Sequence, residues 1–185
     1  MRIAVYSGSF DPLHKGHEAI MRQVSGEVLA DWVYLVVSPQ NPFKDPSKAE
    51  NAAERYRAAV RAVSRHPDLR VWVDPIELSM DPPQYTIRTL DALRLREPGV
   101  EFVLVIGADN LASMRGWRDY GRLLLEYGVL VFPRGGFDCP ALREDLLREN
   151  PQYRITLVQA PLVDVSSTQI REALARGEDA GSMLM

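Results

Sequence analysis

The sequence predicts an α/β fold, a single doubly wound parallel sheet in one domain spanning residues 1–185. Two observations carry this. Apolar runs of strand length alternate with stretches of helical spacing. The strands are apolar almost throughout rather than at every second residue, so both faces of the sheet must be covered.

The elements follow in order. IAVYS (residues 3–7) is a first buried strand, and HEAIMRQVSGEVLA (17–30) follows with helical spacing. WVYLVVS (32–38) is a second strand. SKAE (47–50) forms a capping box, and its helix runs to about His66, where Pro67 stops it. RVWVD (70–74) is a third strand. YTIRTLDALRLRE (85–97) is a helix closed by Pro98 and Gly99. EFVLVIG (101–107) and GVLVFP (128–133) are the fourth and fifth strands. A short helix over 140–150 leads to a sixth strand, RITLVQA (154–160), and a last helix begins near Ser166.

Composition narrows the function. A net charge of −3 gives no sign of a nucleic-acid or anionic-membrane partner, so a polyanionic ligand would need a local cluster of cations. The single cysteine, Cys139, lies in a loop-like GGFDCPA stretch and excludes an intrachain disulfide. A cytoplasmic location suits it. The N-terminus is too weakly apolar for a signal peptide, and no run reaches the ~18 apolar residues of a membrane span.

GSFDPLHKGH (8–17) follows the first strand and leads into the first helix, the end of the sheet where such folds bind ligands. Gly8 permits a tight turn with exposed N–H groups, and the helix start adds an anion site. His14 and His17 are three residues apart and share a face of the first turn. Both suit phosphate oxygens. Metal ligation is the rival, with Asp11 as the nearby third donor. The dinucleotide fingerprint G-x-G-x-x-G is absent. At the other end, VSSTQIR (165–171) opens a helix. Ser166, Ser167 and Thr168 offer caps and hydroxyl donors, and Arg171 lies one turn on, able to grip phosphate.

These two segments resemble the signatures of the HxGH nucleotidyltransferase superfamily, G-x-F-x-P-x-H-x-G-H and I-S-S-T-x-I-R. The middle of the chain resembles bacterial nicotinate-nucleotide adenylyltransferases: PQYTIRTL (83–90), VIGADNL (105–111), GWRDY around Trp117, NAAERYRAAV (51–60), NPFK (41–44) and VFPRGG (131–136). Gln84, Arg88 and Phe43 depart from that pattern.

The resemblance implies a Rossmann-like nucleotidyltransferase fold and transfer of AMP from ATP to nicotinate mononucleotide, in NAD biosynthesis. It implies catalytic roles for His14, His17, Lys44 and Arg171. ATP would be held by Gly8, Ser9, Phe10, Gly107, Asp109, Ser166, Ser167 and Thr168. The acceptor would meet Tyr85, Thr86 and Trp117. Mg²⁺ would come with ATP, held by its phosphates rather than directly by the protein. The partners would be these two small molecules. Nicotinamide mononucleotide, phosphopantetheine and a non-catalytic nucleotide-binding role are the alternatives. Asp109 as a helix cap, Trp117 as core, Thr86 as a helix-start hydroxyl and Arg134 as either a nucleotide contact or surface charge also stay open.

Overall fold

The computed structural model describes residues 1–26, 29–39, 51–161 and 165–185. In chain order it contains β1 (Arg2–Gly8), α1 (Lys15–Gly26), β2 (Trp32–Val37), α2 (Ala52–Ser64), β3 (Val71–Asp74), α3 (Thr86–Arg96) and β4 (Glu101–Gly107). Then come α4 (Ala108–Ala112), α5 (Tyr120–Glu126), β5 (Val129–Phe132), α6 (Cys139–Glu149), β6 (Ile155–Leu157) and α7 (Ser167–Ala175). Short 3₁₀ turns occupy Ile76–Ser79 and Met114–Gly116.

The strands form one six-stranded sheet in the order β3-β2-β1-β4-β5-β6, with parallel ladders and flanking helices. The order reverses at β1, which makes the sheet doubly wound as the sequence implies. The turn leaving β1 is therefore where such a sheet places a ligand.

The chain divides into two compact units. One holds residues 1–6 and 82–162. Within it β1 runs beside β4, from Arg2 opposite Glu101 to Tyr6 opposite Val105, and β4, β5 and β6 follow in parallel. Leu104 and Leu130 are fully buried in it, as are Leu90 and Leu93 of α3 and Leu123 and Leu124 of α5. The other holds residues 7–81 and 163–185. There β2 pairs with β3, and α1 buries Met21 and Val24. Ile170 and Ala173 of α7 join Ala180 in a small apolar cluster.

Two elements escape the sequence reading. Both α4 and α5 are short, and α5 starts after Asp119 at φ 51° with no side-chain cap. Its Leu123–Leu125 run shows no helical period, and Asp119 at its start, although a cap-type residue, forms no side-chain cap bond. Cys139 is not in a loop. It opens α6, because Asp138 caps that helix by accepting from the Ala141 amide at 3.1 Å and Pro140 follows in the first turn. The capping box at 47–50 lies outside the described residues. No helix among those described is long and apolar enough to cross a membrane.

Gly128 joins α5 to β5 at φ +79°, and an added Cβ would stand 2.9 Å from Arg154 Cβ and 3.0 Å from its carbonyl oxygen. Gly128→Ala is expected to lower stability by about 1–3 kcal/mol, read as a fall in the urea midpoint with an unchanged slope.

Candidate functional site

The turn after β1 is built by close approach. A Cβ on Gly8 would meet the Phe10 ring at 3.2 Å. Phe10 adopts φ 47°, a left-handed conformation that costs a side-chain-bearing residue about 1–3 kcal/mol. Its buried ring meets the His17 ring edge-on, with centroids 5.0 Å apart.

The histidines follow at the start of α1. His14 is 5% exposed, and its Nδ1 accepts from the amides of Gly16 at 3.0 Å and His17 at 3.4 Å. It thus caps its own helix. His17 Nδ1 accepts from the His14 amide at 3.2 Å. With both Nδ1 atoms accepting, the neutral rings carry their protons on Nε2. The rings stack at 3.6 Å with planes 22° apart. That approach requires Gly16, whose Cβ would lie 2.8 Å from His14 Cε1 and 2.9 Å from Nδ1.

The second signature docks onto the first. Ser166 caps α7 by accepting from the Gln169 amide at 3.1 Å, and Gln169 Oε1 accepts from the Ser166 amide at 3.0 Å. Ser167 Oγ donates to the Pro12 carbonyl at 3.0 Å. Arg171 donates through Nη1 to the Asp11 carbonyl at 2.6 Å and through Nη2 to Thr168 Oγ1 at 3.2 Å. The Lys15 amide donates to the Met183 carbonyl at 2.9 Å, and His14 forms an antiparallel bridge with Leu184. The structure therefore brings Gly8, Ser9, Phe10, His14, His17, Ser166, Ser167, Thr168 and Arg171 together, although their two segments are about 150 residues apart. Lys44 lies outside the described residues.

Sequence reasoning gave no role to a second arginine and a carboxylate beside this turn. Arg55 of α2, 5% exposed, donates through Nη1 to the carbonyls of Ser9 at 2.7 Å and Ser38 at 2.9 Å. Burial lowers the pKa of its guanidinium, and the charge of Asp11 opposes that shift. Glu77, 4% exposed, accepts from Ser7 Oγ at 3.1 Å and Ser38 Oγ at 3.0 Å. The available signal was Arg55 on an otherwise alanine-lined buried stripe, Ala52, Ala59 and Ala62.

The remaining candidates lie in the other unit. Gly107 ends β4, and a Cβ there would meet Asp109 Oδ1 at 2.6 Å and Arg134 Nε at 2.8 Å. Asp109 and Arg134 are exposed and 3.7 Å apart. Asp109 does not cap α4, because Gly107 holds the cap position and no side-chain cap bond forms. Tyr85 precedes α3 in an extended conformation with no side-chain cap, and Thr86 opens the helix. Arg118 lies over the exposed Tyr85 ring, 5.4 Å from its centroid. Trp117, next to it, is half-buried and extended.

A family model described as cytidylyltransferase-like matches residues 5–173. The chain belongs to the cytidylyltransferase-like family. Within it, the chain is 36% identical over 171 residues to a Cytophaga hutchinsonii protein named "Probable nicotinate-nucleotide adenylyltransferase", covering 92% of this chain and 84% of that one. A Flavobacterium johnsoniae protein of the same name is 32% identical, covering all of this chain and 92% of its own. The fold matches that of Plasmodium falciparum nicotinic acid mononucleotide adenylyltransferase complexed with NaAD. The TM-score is 0.75 at 21% identity, covering 96% of this chain and 86% of that one. All the described signature positions lie inside the matched region.

Gly16→Ala is expected to push the His14 ring off its cap and cut turnover about 100-fold while the protein stays folded, checked by steady-state kinetics alongside circular dichroism. Ser166→Ala is expected to remove about 1 kcal/mol of stability, checked by urea unfolding.

Proposed function

We propose that the protein transfers AMP from ATP to nicotinate mononucleotide, giving deamido-NAD and pyrophosphate. The observation that carries this is the stacked His14–His17 pair, its Nδ1 atoms both engaged with backbone, docked against the capped N-terminus of α7 with Arg171. Relatives at 31–36% identity carrying the nicotinate-nucleotide adenylyltransferase name support the acceptor.

An acceptor phosphate oxygen attacks the α-phosphorus of ATP. The bond from that phosphorus to the oxygen bridging the α- and β-phosphates breaks, and pyrophosphate leaves with the electron pair. The acceptor phosphate has a second pKa near 6, so it is largely ionised at pH 7 and needs no general base. The protein's task is positioning and neutralising charge. Backbone N–H groups over Gly8, Ser9 and Phe10 hold phosphate oxygens. His14 and His17 donate to the α- and β-phosphates as charge builds. Ser167, Thr168 and Arg171 take the leaving pyrophosphate, Arg171 exchanging its present carbonyl contact for phosphate. Lys44 adds a further cation, and Ser166 maintains the cap. Asp109 accepts from a ribose hydroxyl beside Gly107. Trp117 stacks on the pyridine, and Tyr85 and Thr86 receive its carboxylate at the start of α3.

Among the described residues no group of three or more His, Cys, Asp or Glu side chains stands together as a metal site. The phosphate-facing donors are amides, hydroxyls, imidazoles and a guanidinium, which suit phosphate oxygen. Mg²⁺ arriving with ATP would be held by the nucleotide phosphates and would supply charge neutralisation.

Pyrophosphate release from Mg-ATP, with nicotinate and nicotinamide mononucleotides side by side, tests the reaction. Strong preference for the acid is expected, and equal use would overturn the acceptor assignment. In the same assay His17→Ala is expected to lower kcat by about 10²–10³-fold. Trp117→Ala should instead raise the acceptor KM with little change in kcat, and an unchanged KM would remove the stacking role.

A further inference from the structure

A trans peptide unit is planar, with its C=O and N–H pointing in opposite directions. Whatever holds a carbonyl therefore aims the next residue's amide. The Gly8–Ser9 and Ser9–Phe10 peptide bonds are both trans. The Gly8 carbonyl accepts from the Ser38 amide at 2.8 Å, so the Ser9 N–H is directed away from Ser38. The Ser9 carbonyl accepts from Arg55 Nη1, so the Phe10 N–H is directed away from Arg55. These are two of the amides assigned above to phosphate.

The same guanidinium nitrogen holds the Ser38 carbonyl. Ser38 is fixed from its other side as well, where its hydroxyl lies 3.0 Å from Ser7 Oγ and donates to Glu77. Glu77 also takes the Ser7 hydroxyl. Two buried groups of opposite charge thus grip the ends of β1 and β2 through three serines.

We infer that Arg55 is a positioning residue for the turn after β1, with Glu77 as the anionic half of one bracket that aims the Ser9 and Phe10 amides at phosphate. The inference rests on the phosphate reading of that turn.

A role in helix packing alone explains Arg55 poorly. Its buried neighbours along α2 are alanines, and an apolar side chain of similar volume would fill position 55 without desolvating a charge. Arg55 Nη2 is buried with no hydrogen-bond partner among the described residues, an arrangement unfavourable to stability. What the arginine supplies is one donor nitrogen bridging two carbonyls. The left-handed Phe10 sits immediately beyond, where the backbone needs that restraint.

The test compares the wild type with Arg55→Met, Arg55→Lys and Glu77→Gln in the full chain. It reads thermal unfolding, kcat and KM for pyrophosphate release, and calorimetric binding of inorganic pyrophosphate. Arg55→Met is expected to unfold near the wild-type temperature, lose about 100-fold in kcat and bind pyrophosphate about tenfold more weakly, with the KM for nicotinate mononucleotide unchanged. Arg55→Lys should recover part of that loss, and Glu77→Gln should lose about tenfold in kcat. A folded Arg55→Met enzyme with kcat within about threefold of the wild type overturns the inference. So does a loss that merely follows the unfolded fraction across temperature. Should Arg55→Met fail to fold, wild-type kcat in both other variants overturns it. A wild type that releases no pyrophosphate with any acceptor sinks the transferase reading instead. Pyrophosphate binding then decides the positioning role, and equal binding by wild type and variant ends it.

Discussion

The hydrogen bond from the Ser38 amide to the Gly8 carbonyl couples the end of β2 to the turn leaving β1, and much of the site depends on it. A parallel strand stops hydrogen-bonding to its neighbour where the chain turns away, and a glycine there is free to take many directions. This bond removes that freedom at the first residue of the signature. Arg55 removes it again one residue later. The chain then reaches Phe10 in a left-handed conformation and His14 in position to cap α1.

Most fixed positions of the first signature have a physical reason here. Gly8 makes room for the Phe10 ring, and Gly16 makes room for His14. Phe10 covers one edge of His17. Pro12 contributes through its carbonyl, which receives the Ser167 hydroxyl. The histidines are less independent than two ligands side by side. Each Nδ1 is committed to a backbone amide of the same turn, so the helix start and the ring orientation hold one another in place.

Half of the buried polar residues named among the described ones serve the irregular backbone after β1. Arg55, Glu77 and His14 are all at most 5% exposed, and each hydrogen-bonds to the turn after β1 or to serines at its base. Regular strands satisfy their own amides and carbonyls through ladders. The turn has no ladder, so side chains must meet its polar groups, and buried ones do so with the least freedom to move. Arg171 and Ser167 serve the same turn from α7.

The sequence by itself determined the strand–helix alternation, the doubly wound class, both signatures and the caps at Ser166 and near residue 97. Those features follow from local periodicity and from residue types whose chemistry acts within one turn. It placed six strands to within a few residues because buried parallel strands are apolar on both faces. It missed α4 and α5, which are too short to show a period, and it put Cys139 in a loop because the Asp138 cap sits among glycines. Only the tertiary structure decided that Ser166–Arg171 docks on Asp11 and Pro12, that Arg55 and Glu77 bracket Ser7–Ser9, and that Asp109 faces Arg134 across Gly107. These contacts join residues from 25 to 160 positions apart. No local pattern encodes them, because each joins residues of different elements that are distant in sequence.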